Sequence, residues 1–265
     1  MTERALGVDI GGSGIKGGIV DLAAGELIGE RVRVPTPQPA TPEAVIAATA
    51  ELVAGFDEDG PVGIGLPAAI VGGVVMTAAN LDPAWIGIGA ERVVSAAIGR
   101  PCVMLNDADA AGLAEIRFGA GADVPGVVLV LTLGTGIGSA LFVDGRLVPN
   151  TELGHIEIRG KDGEERAAAS VRKEKHLTFR AWARRLDEYI DRVDQLVWPD
   201  LIILGGGVSR RADEFLHYLT VRPPVVPARL LNQAGIVGAA LRAAETPPFP
   251  NDPAGAGSAT PARRS

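Results

Sequence analysis

The sequence has almost no cysteine and few aromatic residues. One cysteine among 265 residues excludes an internal disulfide framework and any zinc site built from several thiolates. Only 4% of the residues are aromatic while 47% are hydrophobic, so we expect a mainly aliphatic core. At this length the chain forms one large domain or two small ones. The lone cysteine fits a reducing compartment, which predicts a cytoplasmic protein.

The chain also lacks an excess of positive charge. Its formal net charge of −7 argues against a dedicated nucleic-acid binder. Two uncharged runs, 60–81 and 124–143, contain proline and several glycines, so we interpret them as buried strands and turns, not membrane helices. Too few residues precede the first apolar strand for a secretory signal peptide. We therefore expect neither nucleic-acid nor membrane binding.

Apolar strand-like runs alternate with longer helical patterns, which predicts an α/β protein with mostly parallel central sheets. The predicted strands are 5–10, 15–20, 62–66, 71–76, 102–105, 127–133, 139–143 and 201–204. The predicted helices are about 41–55, 91–98, 108–118, 164–197, 212–218 and 235–244. Residues 246–265 contain five prolines and no apolar periodicity, which predicts a disordered tail.

One pattern occurs twice, at an offset of 123 residues. LGVDIGGSGIKGGIVD at 6–21 and LVLTLGTGIGSALFVD at 129–144 each give an apolar strand, a polar residue, a glycine-rich turn, a second strand and a closing Asp. A duplicated two-lobed fold would leave such a repeat. The alternative is a chance likeness between glycine-rich hairpins.

The glycine-rich turns carry the first chemical signal. Glycines let backbone N–H groups converge on an anion, such as a phosphate group, without obstruction by Cβ. The carboxylate of Asp9 can hold a hydrated Mg²⁺ against phosphates bound in this way. The pattern is neither a Walker loop nor a Rossmann fingerprint. A plain tight hairpin remains the alternative for the first turn alone. Two such hairpins facing each other would clamp a phosphate chain from both sides.

Further polar residues suggest an acceptor site. Asp107 follows an apolar strand and could act as a general base for phosphoryl transfer, or Asp107 or Asp109 could simply cap the next helix. Carboxylate, amide and imidazole groups in three short clusters match the dense hydrogen bonding that a polyol requires. These groups belong to Asn80, Glu152, His155, Glu164 and Glu165. The two glutamates of the last cluster could instead favour a helix N-terminus.

These motifs together resemble the repressor–ORF–kinase (ROK) group of sugar kinases, within the actin-like ATPase superfamily. They are DIGGSGIK at 9–16, Asn106-Asp107, LTLGTGIG at 131–138, ELGH at 152–155 and LGGGVS at 204–209. The resemblance covers the chain from residue 5 to about 244. Within the group it is greatest to the actinobacterial polyphosphate glucokinases, through GSGIKGG, TAANLDPAWIG, NDADAAGLAE and LVPNTELGHIEIRGKD.

The resemblance implies a two-lobed fold with duplicated mixed β-sheets, flanked by helices, around a central cleft. The lobes are expected at 1–107 and 108–234, with a helix at about 235–245 packing back on the first. The implied activity is transfer of the terminal phosphoryl group of inorganic polyphosphate, and of ATP, to the 6-hydroxyl of glucose. Mg²⁺ and a homodimer are implied with it. The alternative is an ATP-dependent kinase for another hexose, such as mannose or fructose.

The resemblance also implies a role for each matching residue. Asp107 is the catalytic base, and Asp9 holds Mg²⁺ through water. Glucose is bound by Asn80, Asn106, Glu152, His155 and Glu164, with Glu165 as the alternative to Glu164. Donor phosphates and metal are held by Asp9, Gly11, Gly12, Ser13, Lys16, Thr132, Gly134, Thr135 and Gly136. The nucleoside lies against Gly205, Gly206 and Gly207.

The sequence departs from the group's pattern in two places. Many members hold a structural zinc through a His and three Cys, but no Cys occurs at 157–172, so we expect no zinc and a His155 free to bind sugar. Ala68 replaces a glycine of the group's G-x-P-G turn, which puts in doubt any role that needs positive φ there. Repressors of this fold carry an N-terminal DNA-binding helix pair, which is not expected here, and a sugar sensor would not need both phosphate loops with Asp107.

A basic stripe follows the sugar motif. Arg172, His176, Arg180 and Arg184 recur every four residues, which predicts one helical face that could track a linear polyphosphate. The alternative is a solvated helix surface partly neutralised by neighbouring acids.

Overall fold

The structure is a computed structural model that describes residues 4–78 and 81–245. Its strands are β1 (Arg4–Gly11), β2 (Gly14–Asp21), β3 (Glu26–Val34), β4 (Val62–Leu66), β5 (Ile70–Val71), β6 (Val74–Val75), β7 (Cys102–Asn106), β8 (Val127–Leu133), β9 (Ile137–Val143), β10 (Arg146–Val148), β11 (Glu157–Ile158), β12 (Lys161–Asp162), β13 (Leu201–Gly205) and β14 (Val225–Pro227). Its α-helices are α1 (Pro42–Ala54), α2 (Ala90–Ile98), α3 (Asp107–Phe118), α4 (Gly163–Ala167), α5 (Ala169–Glu174), α6 (Phe179–Val197) and α7 (Ala234–Glu245). The predicted tail, 246–265, and the predicted sugar ligand Asn80 lie outside the described residues.

Two five-stranded sheets have the same order and the same strand directions. The first runs β3-β2-β1-β4-β7 and the second β10-β9-β8-β13-β14, each with two antiparallel pairs followed by two parallel pairs. Asp9 in β1 lies beside Gly65 of β4, and Thr132 in β8 lies beside Gly205 of β13. The duplicated mixed-sheet fold expected from the repeat is confirmed.

Each sheet has its own hydrophobic core. Strands β1, β2, β4 and β7 pack against α1 and α2 in a core that is mainly aliphatic apart from the buried Trp85. The second sheet packs against α4, α5 and α6 around Trp182, Tyr189 and Phe215. Helices α3 and α7 pack against each other; α7 lies on β1 and β4, while α3 also contacts β8 and β9. This pair therefore links the two sheets, and both helices begin beside the strand positions of Asp9 and Gly65.

Backbone contact holds α7 in this position. A Cβ at Gly7 would lie 1.9 Å from the carbonyl oxygen of Ile236, and one at Gly63 would lie 1.7 Å from that of Ala239. On the opposite side of α7, a Cβ at Gly238 would lie 1.6 Å from the backbone oxygen of Ala110 in α3. Any larger residue would force these backbones apart.

We predict that Gly63→Ala destabilises the protein by about 3 kcal/mol or more, because overpacking against rigid backbone cannot relax as it does against a side chain. Gly12→Ala is the matched control, because a Cβ there meets nothing within 4 Å. Urea unfolding of both variants measures the difference. Equal stabilities for the two variants would contradict the backbone contact.

Two element predictions are wrong in detail, and one long strand was not predicted. The strand expected at 71–76 is the hairpin β5–β6, because Gly72 and Gly73 both have positive φ (+57° and +76°) and form a two-residue turn. Residues expected to form a helix at 212–218 lie in 3₁₀ segments, Gly207–Glu214 and Leu216–Tyr218. Strand β3 was not predicted, because this edge strand is exposed along most of its length and carries four charged residues.

The long helix expected at 164–197 is three helices. Ala168 is extended between α4 and α5, and the indole of Trp182 donates to the carbonyls at the end of α4. After α5, His176 has a φ of +49°, and Thr178 caps α6 by accepting from the Ala181 amide at 3.2 Å. The predicted basic stripe is therefore wrong as one helical face: Arg172 lies in α5, His176 lies at the break, and Arg180 and Arg184 lie in α6.

Candidate active site

Three consecutive carbonyl groups of the β1–β2 turn accept hydrogen bonds from side chains that follow in the sequence. The bonds are Thr36 Oγ1 to Gly11 O, Gln38 Nε2 to Gly12 O at 3.2 Å and Arg33 Nη2 to Ser13 O at 2.7 Å. The C=O of a planar trans peptide points away from the following N–H. The amides of Gly12 and Ser13 therefore point away from these three side chains and are available to an anion.

The turn between β8 and β9 accepts hydrogen bonds in the same way, from one residue. The backbone N–H of Ser170 donates to Gly134 O at 3.0 Å, and its hydroxyl donates to Thr135 O at 2.6 Å. By the same geometry the amides of Thr135 and Gly136 point away from Ser170. Both turns thus present amide groups, which favours binding of a phosphate chain.

Three glycines leave open space at this site. A Cβ at Gly12, Gly134 or Gly207 would meet nothing within 4 Å, and none of the three has positive φ. Neither conformation nor packing within the described residues requires glycine there, so the missing side chain leaves room for a ligand to reach the backbone. Gly206 differs, because its φ is +83° and a Cβ would lie 2.2 Å from Leu133 O.

We predict that Gly134→Ala folds normally and raises the KM for the phosphoryl donor. The residue can accept a Cβ in the native conformation, so stability should stay equal or rise by about 0.4–1 kcal/mol. Thermal unfolding and steady-state kinetics measure the two effects, with Gly206→Ala as the control that loses stability. An unchanged donor KM in Gly134→Ala would contradict the phosphate role of this turn.

Asp107 stands at the start of α3, between the two sheets. Gly65 of β4 approaches it from one side, where a Cβ would lie 3.6 Å from the Asp107 Cα, and Gly138 of β9 approaches Ala108 from the other. Burial, with the nearby carboxylates of Asp9 and Glu152, raises the pKa of Asp107 to about 6. A carboxylate with such a pKa suits a general base near neutral pH.

The N-cap residue of α3 is Asn106, and the Asp107 Oδ1 also accepts from the Ala108 amide at 2.8 Å. The Asn106 Oδ1 accepts from the amides of Ala108 at 2.8 Å and Asp109 at 3.1 Å, and its Nδ2 donates to Ala68 O at 3.3 Å. Only one N–H of the Asn106 amide is left for a sugar. Ala68 does not have positive φ and its methyl group is buried, so the alanine fits this turn without strain.

Asp9 and Thr132 occupy equivalent strand positions. Asp9 accepts from Lys16 Nζ at 2.7 Å, and Gly235 at the start of α7 lies against its carboxylate. In the described residues no group of three or more His, Cys, Asp or Glu could hold a metal ion. The carboxylate of Asp9 is a suitable ligand for Mg²⁺ that keeps its waters and is carried by phosphates, for which one carboxylate suffices.

The predicted sugar ligands of the second lobe lie together. His155 Nε2 is 3.9 Å from Glu152 Oε2, and His155 Nδ1 is 2.8 Å from Asp162 Oδ2. The hydrogen bond with Asp162 raises the pKa of His155, and burial raises that of Glu152. Glu164 Oε2 accepts from the Ile137 amide at 3.0 Å beside the second turn.

Glu165 points elsewhere: its carboxylate is 4.0 Å from Lys161 Nζ and is exposed. Of the two candidate glutamates, Glu164 therefore lies on the side of the cleft.

Sequence reasoning missed a link between the lobes. Asn150 bonds the backbone of Ile70 twice, as acceptor from its N–H and donor to its C=O, both at 2.8 Å. The backbone N–H of Asn150 donates at 2.8 Å to the buried carboxylate of Asp109. Burial raises the pKa of Asp109 to about 7. This link fixes the segment that leads to Glu152. The bonded residues are 41 and 80 positions apart in the sequence, so no local sequence pattern predicts these contacts.

Replacing Asp107 by asparagine should change turnover and the free energy of unfolding in opposite directions. We predict that Asp107→Asn lowers turnover by several orders of magnitude and, at pH 8, raises the free energy of unfolding by up to about 3 kcal/mol. The native pKa of about 6 exceeds the ordinary 3.8, so the native state binds the proton more tightly. The wild type therefore loses stability as pH rises from about 4 to 6, and neutral Asn avoids this loss.

The pH profile of the wild type checks the same group. Its kcat/KM should fall as pH drops through about 6, because a protonated carboxyl cannot accept the hydroxyl proton. Asp57→Asn, an exposed position, is the control for both measurements. Near wild-type turnover in Asp107→Asn would leave Asp107 without a catalytic role.

Two duplicated sheets with amide-presenting turns, and a carboxylate between them, define a phosphotransferase of the actin-like ATPase fold. The ROK family model matches residues 5–170. Polyphosphate glucokinase of Mycobacterium tuberculosis is 54% identical over 242 residues, 91% of each chain. The chain therefore belongs to the ROK family.

Solved structures agree with this assignment. The inorganic polyphosphate/ATP-glucomannokinase of Arthrobacter sp. strain KM superimposes with a TM-score of 0.88 at 53% identity, covering 92% of this chain and 99% of that one. A ROK family glucokinase from Streptomyces griseus, in complex with glucose and AMPPNP, gives 0.77 at 27% identity, covering 92% and 100%. The described helices include none long and apolar enough to cross a membrane.

Proposed function

We propose that this protein is a glucokinase that transfers the terminal phosphoryl group of inorganic polyphosphate, and of ATP, to the 6-hydroxyl of glucose. The observation that carries the proposal is the position of Asp107 between two turns whose hydrogen-bonded carbonyls leave their amides free. The relatives support the substrates, since one is a polyphosphate glucokinase and another a polyphosphate/ATP-glucomannokinase.

In the proposed reaction, Asp107 accepts the proton of the glucose 6-hydroxyl as its oxygen attacks the terminal phosphorus. The bond from that phosphorus to the bridging oxygen breaks, and the donor leaves one phosphate shorter. Amides of Gly12, Ser13, Thr135 and Gly136 hold the donor phosphates in line with the acceptor. Positioning and charge neutralisation supply most of the catalysis in such transfers.

Asp9 would hold Mg²⁺ through water, with Lys16 beside it. When bound, the ion neutralises charge on the transferring group. The magnesium requirement, the homodimer and the cytoplasmic location implied by the family resemblance remain predictions.

Glucose would lie between the lobes, held by Asn106, Glu152, His155 and Glu164. Asp162 orients the His155 ring through Nδ1, which leaves Nε2 for a hydroxyl. Mannose is a second candidate acceptor, because the Arthrobacter relative is a glucomannokinase.

The donor assay uses purified protein, Mg²⁺ and polyphosphate freed of nucleotide. We expect glucose 6-phosphate to form from polyphosphate and from ATP, and both activities to be lost together in Asp107→Asn. Mannose in parallel reactions measures the acceptor range. Product from ATP alone would overturn the polyphosphate claim, and product from neither donor would overturn the proposal as a whole.

A further inference from the structure

A groove of about 900 Å³ lies beside the edge strand β3, outside the site described above. It runs between the β2–β3 turn, the end of α3 and the segment that precedes α7. Apolar side chains form part of its lining: Phe118 packs directly on Gly25, where a Cβ would lie 2.4 Å from the ring, and Leu27 and Leu230 also line the groove. We call this feature the β3 groove.

Three arginines, Arg31, Arg210 and Arg229, line the β3 groove, and all are exposed. None has a carboxylate within 4.0 Å in the part of the chain that the structure describes. Glu26 is the acidic residue of the described lining. Three guanidinium groups without ion-pair partners, on a chain of net charge −7, indicate an anionic ligand.

The loop that carries Arg229 is held in place by a buried carboxylate. Glu115 is 1% exposed, and it accepts from the amides of Ala120 at 2.9 Å, Arg229 at 3.1 Å and Leu230 at 2.7 Å. Arg229 Nη1 in turn lies 3.5 Å from Gly119 O. Burying a carboxylate is costly unless it is fully hydrogen-bonded, so these bonds fix the loop. The loop that forms this wall of the β3 groove therefore has a fixed conformation.

Two parts of the β3 groove lining lie close in sequence to residues at the phosphate site. The lining residue Gln233 lies two residues, or at most about 7 Å, from Gly235, which touches the carboxylate of Asp9. On the other wall, Arg31 is two residues from Arg33, whose guanidinium donates to Ser13 O. Arg33 also lies directly opposite Lys16 in the neighbouring strand. Arg33 and Arg31 thus place two guanidinium groups along β3, between the β1–β2 turn and the groove.

We propose that the β3 groove binds the part of an inorganic polyphosphate chain that lies beyond the reacting phosphates. A linear phosphate polymer carries charge on every unit and has no base or ribose, so guanidinium pairs along a groove suit it. This inference rests on the proposed polyphosphate activity. The proposal places the polyphosphate chain on a different surface from that of α5 and α6. On that other surface, the Arg172 guanidinium stacks 4.2 Å from the Phe179 ring centroid.

The test compares two charge reversals of equal size on the full chain. Arg31→Glu with Arg229→Glu alters the groove, and Arg180→Glu with Arg184→Glu alters exposed arginines of α6. We expect the groove variant to raise the KM for long-chain polyphosphate roughly tenfold or more, since each lost charged contact is worth of order a factor of ten. The KM for tripolyphosphate and for ATP should change by less than about twofold.

Binding of labelled long-chain polyphosphate without glucose, followed by fluorescence anisotropy, gives a readout independent of turnover. The loss in the groove variant should shrink as salt rises, because exposed charges are screened within about 10 Å at 0.1 M. Circular dichroism checks folding. If the reversal disturbs it, the single neutral variants Arg31→Gln and Arg210→Gln carry the same prediction with smaller effects.

The outcomes separate the two claims. No product from nucleotide-free polyphosphate in the wild type would overturn the proposed function itself. Product from polyphosphate, but equal losses for long chains, tripolyphosphate and ATP in the groove variant, would overturn the groove assignment. So would a larger loss in the α6 variant than in the groove variant.

Discussion

Backbone contact among α7, α3 and the first sheet is the constraint on which the site depends. Glycines at 7, 63 and 238 let α7 lie against β1, β4 and α3 with no side chain between them. The same packing brings Gly235 against the carboxylate of Asp9 and places the start of α3 beside the end of β4. The two acidic groups of the cleft, Asp9 and Asp107, are therefore held by packed backbone and not by flexible loops, as a site that works mainly by positioning requires.

Duplication supplies the other half of the site. In each sheet, the turn between the first two strands of the repeat has carbonyl groups that accept hydrogen bonds. The donors are Arg33, Thr36 and Gln38 in one lobe and Ser170 in the other. Backbone amides recognise phosphate oxygens, whatever the phosphates are attached to. A site built this way can accept the end of a phosphate polymer or of a nucleotide, and discrimination between donors then depends on surfaces farther from the reacting phosphorus.

Buried strands, the repeat and the glycine-rich motifs were predictable because they are local. Apolar runs such as 127–133 and 62–66 match the structure residue for residue, and the repeat predicted two sheets of one topology. The exposed strand β3 has no apolar face to reveal it. The breaks at Ala168 and His176 depend on the distant Trp182 and on a left-handed residue, neither of which a helical period shows.

At the candidate site, the motif residues were identifiable but their supports were not. Asp107 follows a recognisable strand, whereas the bonds of Ser170 to the second turn, of Asn150 to Ile70 and of Glu115 to residues 229–230 join segments far apart in the sequence. Their residue types are common ones with no motif of their own. The choice between Glu164 and Glu165 likewise needed the fold, because only the fold shows which one approaches the second turn.

The most direct test of the proposed mechanism is a crystal structure of the protein with glucose, Mg²⁺ and a non-hydrolysable ATP analogue. We expect the glucose 6-hydroxyl to lie within hydrogen-bond distance of the Asp107 carboxylate. We also expect phosphate oxygens to accept hydrogen bonds from the amides of Gly12, Ser13, Thr135 and Gly136. A sugar bound with its 6-hydroxyl away from Asp107, or phosphates that touch neither turn, would contradict this mechanism.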